Sequence, residues 1–379
     1  MNTSIAVLPR DTLLGKTIKD GWRLIERLDK KAGDSGGTFG TGYLATRGVA
    51  EFAFVKAIDY VAAFSSGDLA AELLRITQEF QFEREVLEYC TSRGMTKIIR
   101  FYGHDELFAD GSNNPLMKVS CLIMEAGDKD LRRLVLNNGA GPGAGCAWNL
   151  FILSDVIEAI AQLHAGQIAH HDVKPSNVIA TKTEGTASFQ DTAPAPVGSI
   201  SARQEVKIAD LGRVVRKDTA GPFNTHGFAG DRRYQPIEAI YGHTPAEWVD
   251  SRDAADAYMV GSLIFYLFVG VSVQDLIAQY IAPKFYPANY RQYDQTLIAI
   301  LVDATARALH EHLRPALPAV FADNIIQIAL SLTHPDPRAR GDTRARKQLG
   351  RPVGIDRIHQ RLVLLARRCA AHERGQFGS

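Results

Sequence analysis

The sequence predicts an α+β chain in two parts, a small mainly β N-terminal part carrying one long helix and a larger, mainly helical C-terminal part. Three observations carry that expectation. Residues 22–58 alternate short apolar runs around a glycine-rich turn; after residues 137–145, NNGAGPGAG, the patterning changes to helical spacing; and residues 257–273 form an almost unbroken apolar run.

Residues 23–26, 43–45 and 52–56 read as strands, with the turn at 34–42 between the first two. Leu73, Ile76, Phe80, Val86, Leu87 and Tyr89 recur at roughly helical steps and predict a long helix over 69–90. Residues 98–108 and 118–125 read as further strands, separated by the turn-rich DGSNNP at 110–115. Beyond the connector, Leu150, Leu153, Val156, Ile157, Ile160 and Leu163 share one helical face, and Gly166 is a stop signal. Residues 181–204 are polar and rich in Ala, Pro, Ser, Thr and Gly, the composition of an exposed insertion. Helices are expected to dominate from Asp250 onward. Near the end Ile355, Ile358, Leu362, Leu365 and Cys369 recur every three or four residues, an amphipathic helix with a basic outer face. It is expected to pack on the rest of the chain; docking a partner or an anionic surface is the alternative.

Composition narrows the functional classes. The 379 residues are 46% hydrophobic and 22% charged, enough for a sizeable core, and 43 Lys+Arg against 42 Asp+Glu give no global field that would draw DNA. Four scattered cysteines without a C-x-x-C pair read as reduced, cytoplasmic thiols. The N-terminal 20 residues lack the apolar block of a signal peptide. The 257–273 run, about 17 residues, is at the short limit for a bilayer core of about 30 Å, and its Asp-flanked ends favour a buried helix over a transmembrane segment.

The segment His170-His171-Asp172-Val173-Lys174-Pro175-Ser176-Asn177 and the later Asp210-Leu211-Gly212 carry the chemistry. Phosphoryl transfer needs a carboxylate to orient the incoming hydroxyl and oxygen ligands to hold Mg²⁺ on the phosphates. These segments resemble the H-R-D-L-K-P-x-N catalytic loop and the D-F-G motif of the eukaryotic-type Ser/Thr protein kinase family, whose bacterial members the Ala- and Arg-rich wording suggests. The resemblance implies the bilobal protein-kinase-like fold, ATP and Mg²⁺ as cofactors, and a protein substrate. Asp172 is then the catalytic acid/base, Lys174 a charge near the transferred phosphoryl group, and Asn177 and Asp210 the metal ligands. Ser35–Leu44 resembles the Gly-rich loop, with Gly37 and Gly40 on its second and third glycines and Gly42 where a Val usually packs on adenine. Lys56 corresponds to the phosphate-binding strand lysine, Glu85 is its expected helix partner ahead of Glu83 and Glu79, and Met124, Glu125 and Ala126 correspond to the adenine hinge. Glu238, Asp256 and Arg340 match the family's activation-segment acid, helix-start Asp and ion-pairing Arg.

The matching motifs run in family order over residues 20–345. They imply an N-terminal extension at 1–19, an N-lobe at 20–125, a C-lobe at 126–345 and a basic helical extension at 346–379. Three departures stand out. His171 replaces the Arg that reads activation-segment phosphate in many members, and a neutral imidazole lacks that fork. Asp231 stands where a Thr usually contacts the catalytic Asp and Lys, and Leu211 replaces the Phe of D-F-G. Alternatives are a pseudokinase scaffold, an aminoglycoside-type phosphotransferase sharing the H-x-D-x-x-x-x-N spacing, and a metal cluster built from His164, His170, His171 and Asp172.

Overall fold

A computed structural model describes residues 8–28, 40–137, 140–142, 144–181, 205–350 and 352–376. They fall into two compact units, one running to Asp128 and taking in Asp210–Gly212, the other comprising the remainder from Lys129.

The first unit is built on a six-stranded antiparallel sheet of β1 (Thr17–Ile18), β2 (Trp22–Leu28), β3 (Gly40–Arg47), β4 (Glu51–Asp59), β5 (Phe101–Phe108) and β6 (Lys118–Glu125), ordered β1-β2-β3-β4-β6-β5. Period-two alternation sorts its faces. Ala53, Val55 and Ala57 point with Tyr43, Ala45, Cys121 and Ile123 into a closed core, while Phe54 and Lys56 point the other way. Within the N-terminal extension at 1–19, Leu13 and Ile18 are buried in this core and Arg10 bonds the buried Asp59. Helix α1 (Leu69–Ser92) starts at Asp68, whose carboxylate accepts the Ala71 N–H, and packs beside β5.

The second unit opens with β7 (Lys129–Asp130), α2 (Leu131–Leu136) and α3 (Cys146–Ala165). Two small sheets frame the loop after α3: β8 (Ile168–Ala169) pairs with β11 (Val215–Arg216), and β9 (Val178–Thr181) lies between β7 and β10 (Glu205–Ile208). The helices α4 (Ile237–Ile240), α5 (Ala254–Val269), α6 (Val273–Ile277), α7 (Gln295–Ala308), α8 (Ala319–Leu332), α9 (Thr343–Leu349) and α10 (Ile355–Gln376) complete it. The expected insertion at 181–204 lies outside the described residues after Thr181.

The apolar run at 257–273 falls on α5 as far as Val269, where Gly270 at φ +90° stops the helix, and α5 is buried along nearly its whole length. Among the described residues one helix, α3, is long and apolar enough by itself to cross a bilayer, and the bent α5–α6 pair passes the same test. Both are core helices of this unit; α3 packs against α10, α5 and β10. The apolar stripe of α10 is spent on that packing, with Ile358, Leu362 and Cys369 almost fully buried, and Glu373 accepts the Ala147 N–H near the start of α3. On its outer side Arg357 and Arg361 both face Asp342.

A buried fork ties α4 to the 3₁₀ turn Pro337–Ala339. Arg340, fully buried, donates through Nη1 and Nη2 to the two Glu238 oxygens at 2.9 and 2.8 Å, and to the carbonyls of His334 and Ala254. Removing one partner strands the other's charge without water. Glu238→Ala is expected to cost about 3–5 kcal/mol in urea unfolding.

Candidate functional site

In the first unit the sheet register assembles a charge cluster. Lys56 is paired across the sheet with Gly42 on β3 and Leu122 on β6, which directs its side chain away from the Val55 core face. Its ammonium lies 2.8 Å from both Glu83 oxygens and 3.8 Å from Asp210 Oδ1. Burial alone would lower the Lys56 pKa, but Glu83 and then Asp210 outweigh it and hold the lysine charged, above its ordinary value. Burial, with Asp210 adding to it, raises the Glu83 carboxyl above its ordinary value against the pull of Lys56. Gly212 sits against both acids: a Cβ there would meet Glu83 Oε2 at 3.3 Å and Asp210 Oδ1 at 3.4 Å.

The expected partner Glu85 is corrected to Glu83. Ile76, Phe80, Glu83, Leu87 and Cys90 follow each other at steps of four and three on the buried face of α1, whereas Glu85, two residues on, is turned to solvent. The apolar neighbours at those steps are the sequence signal that distinguishes Glu83 from Glu85.

The glycine departure at position 42 also has a physical account. A Cβ on Gly42 would lie 2.9 Å from the Phe54 ring, so the large residue at 54 fills the space that the small one at 42 vacates. Gly40 lies along the Lys56 stem, where a Cβ would come within 3.4 Å. Gly37 falls outside the described residues. Met124 and Glu125 close β6 and Ala126 follows it; the Glu125 N–H donates to the Arg100 carbonyl at 2.8 Å, and its carboxylate accepts the Arg100 N–H at 3.1 Å.

In the second unit the loop from His170 to Asn177 is hung from Asp256, the buried acid in the first turn of α5. Its two oxygens accept the backbone N–H groups of His170 and His171, both at 2.8 Å, and Oδ2 lies 2.9 Å from His164 Nε2. The resulting loop buries Asp172, Lys174 and Asn177. Lys174 donates to Asp172 Oδ2 at 2.6 Å, and Asn177 Nδ2 donates to the Asp172 carbonyl and to Oδ2 at 2.9 and 3.2 Å. With its amide hydrogens spent this way, Asn177 presents Oδ1 as its acceptor end. His170 accepts the Asp172 N–H at Nδ1, which places its own ring proton on Nε2, 3.3 Å from the Ala209 carbonyl. The rings of His164 and His170 are therefore engaged in holding the loop, and among the described residues no group of three or more His, Cys, Asp or Glu side chains is arranged to take a metal.

Asp231 occupies the threonine position differently from a hydroxyl. Its backbone N–H donates to Asp172 Oδ1 at 2.7 Å, while its carboxylate lies 4.0 Å from Lys174 and accepts a two-nitrogen fork from Arg233. Burial would raise the Asp231 carboxyl, but Arg233 outweighs it and holds it below its ordinary range. Gly230 before it is obligatory, because a Cβ there would run into the His171 carbonyl. His171 and Asp210 both adopt φ +61°, backbone strain of about 1–3 kcal/mol each at motif positions.

This arrangement of fold and side chains is that of a protein kinase. Residues 30–346 match the protein kinase domain, and the chain belongs to that family. It is 26% identical over 196 residues to the serine/threonine-protein kinase PkaA of Streptomyces coelicolor, covering 52% of this chain and 29% of that protein. It is 28% identical over 190 residues to the serine/threonine-protein kinase Pkn1 of Myxococcus xanthus, covering 48% and 24%. The match thus spans less than a third of the length of either relative.

Two outcomes test the site physically. Gly42→Val drives a branched side chain into the Phe54 ring and is expected to cost about 1–3 kcal/mol, with Phe54→Ala in the same chain relieving it in a double-mutant cycle. The second concerns His171, whose pKa burial pushes down to about 4, with Arg252 and His170 adding to the effect against Asp256 and the Ser251 backbone. The unfolded imidazole binds its proton near pH 6.5 and the folded one near 4, so this residue's contribution is steady above pH 6.5 and stability falls as pH drops between the two values. The loss, at roughly 1.4 kcal/mol per pKa unit, is about 3 kcal/mol, and urea titrations of His171→Gln should lack that part of the slope.

Proposed function

We propose that the chain is an active Ser/Thr protein kinase that takes Mg-ATP and transfers the γ-phosphate to a hydroxyl of a protein substrate. The observation that carries this reading is Asp172, a buried carboxylate fixed by Lys174, Asn177 and the Asp231 N–H at 2.6 to 3.2 Å. A carboxylate held so firmly is preorganised to orient a hydroxyl and accept its proton, and Lys174 can balance charge at the transferred group. Lys56, fixed by Glu83, is the group for the α- and β-phosphates. By resemblance to the family, Asn177 Oδ1 and the Asp210 carboxylate would be the hard oxygen donors to Mg²⁺, which would supply charge neutralisation on the phosphates. Met124, Glu125 and Ala126, with Gly37 and Gly40, are assigned to the nucleotide by resemblance to the family.

Purified protein with labelled ATP and Mg²⁺ is expected to label itself or a generic protein acceptor on Ser or Thr, with the label lost in Asp172→Ala. Equal labelling by that variant overturns the assignment of Asp172, and nucleotide binding without transfer by the unaltered chain points instead to a scaffold. Glu83→Gln should lower transfer roughly tenfold or more, about 1.4 kcal/mol of transition-state stabilisation, while Glu85→Gln leaves it unchanged.

A further inference from the structure

We propose that Arg252 is a positioning residue that fastens residues 224–227 to the catalytic loop at His171 and so presets the activation segment without a phosphate in it. The proposal rests on the kinase reading above. Arg252 lies in a π-helical turn, Val249–Asp253, that runs into α5, and it is 8% exposed. Nη2 donates to the carbonyls of Asn224 and His226, both at 2.9 Å, and Nη1 faces the Gly227 carbonyl and His171 Nδ1, both at 3.4 Å. A guanidinium only donates, so Nδ1 of His171 is the acceptor and its imidazole faces Arg252 in the neutral form.

The clamp leads directly to the catalytic acid. Phe228 stacks on the His171 ring with centroids 5.8 Å apart, and Arg213 Nη1 donates to the Ala229 carbonyl at 2.8 Å. Two residues further, the Asp231 N–H reaches Asp172 Oδ1 at 2.7 Å. Residues 224–231 are thus pinned at Asn224, His226, Gly227, Ala229 and Asp231, each through its backbone. A phosphate on the exposed Thr225 would find both Nη groups of Arg252 already committed to backbone carbonyls on either side, and His171 offers no fork of its own. The cation that orders the segment is part of the chain, and its acceptors are main-chain carbonyls that need no modification.

The test uses the full chain, treated with a phosphatase until its intact mass carries no phosphate. Amide hydrogen exchange over 224–231 and the kinetics of transfer are then compared for the unaltered chain, Arg252→Met and Arg252→Lys. Phosphate-free protein is expected to keep 224–231 protected and kcat unchanged. Arg252→Met should lose that protection while α5 keeps its own, and kcat should fall roughly 100-fold, as for a catalytic geometry displaced by about 1 Å, with KM for ATP unchanged. Arg252→Lys, which retains a cation but not the fork, should recover part of both. The proposal is overturned if dephosphorylation removes protection or activity, or if Arg252→Met retains both. Should Arg252→Met fail to fold, the Lys variant decides by the same readouts. If the unaltered chain transfers no phosphate, the kinase reading fails, and exchange over 224–231 still decides the clamp.

Discussion

The second unit depends on one buried carboxylate. Asp256 receives the consecutive N–H groups of His170 and His171 and the ring of His164, and so fixes the start of the loop that carries Asp172. Burial alone would push its pKa up, yet His164 and then the other histidines hold it below the ordinary carboxylate range; the same pair raises His164 against its own burial. A buried ion is costly unless its hydrogen-bonding capacity is met. Here the partners are the backbone groups whose placement the chemistry needs. The left-handed backbone at His171 shows the same economy, since strain at one residue lets the loop turn so that Asp172 meets Lys174, Asn177 and the Asp231 N–H together.

The first unit solves a different electrostatic problem. Lys56 must remain charged in a largely closed setting, and Glu83 accomplishes this from the one face of α1 that packs inward. Asp210 adds a second negative group at 3.8 Å.

Departures from the family pattern come with compensations nearby. Gly42 is answered by the Phe54 ring, Asp231 by the Arg233 fork and its own backbone N–H, and His171 by Arg252. Each replacement brings other atoms to the place: the Phe54 ring beside Gly42, a backbone N–H to Asp172, and the Arg252 guanidinium beside the His171 imidazole.

The sequence by itself determined the class of fold, because alternation in β2 to β4 and helical steps in α3 and α10 are local patterns; the acid, the lysines and the amide were picked out by short motifs that resemble those of the family. The family resemblance placed Glu238 opposite Arg340, and the acid-flanked apolar run at 257–273 marked a buried helix, which the structure ends at Val269. Only tertiary structure decided that Glu83 rather than Glu85 meets Lys56, that Leu13 and Ile18 join the core, and that Arg252 reaches three carbonyls near position 225. Those outcomes turn on the rotation of a helix about its axis and on contacts between residues distant in sequence. Their energies arise when chain segments pack against one another, so no local window of residues contains them.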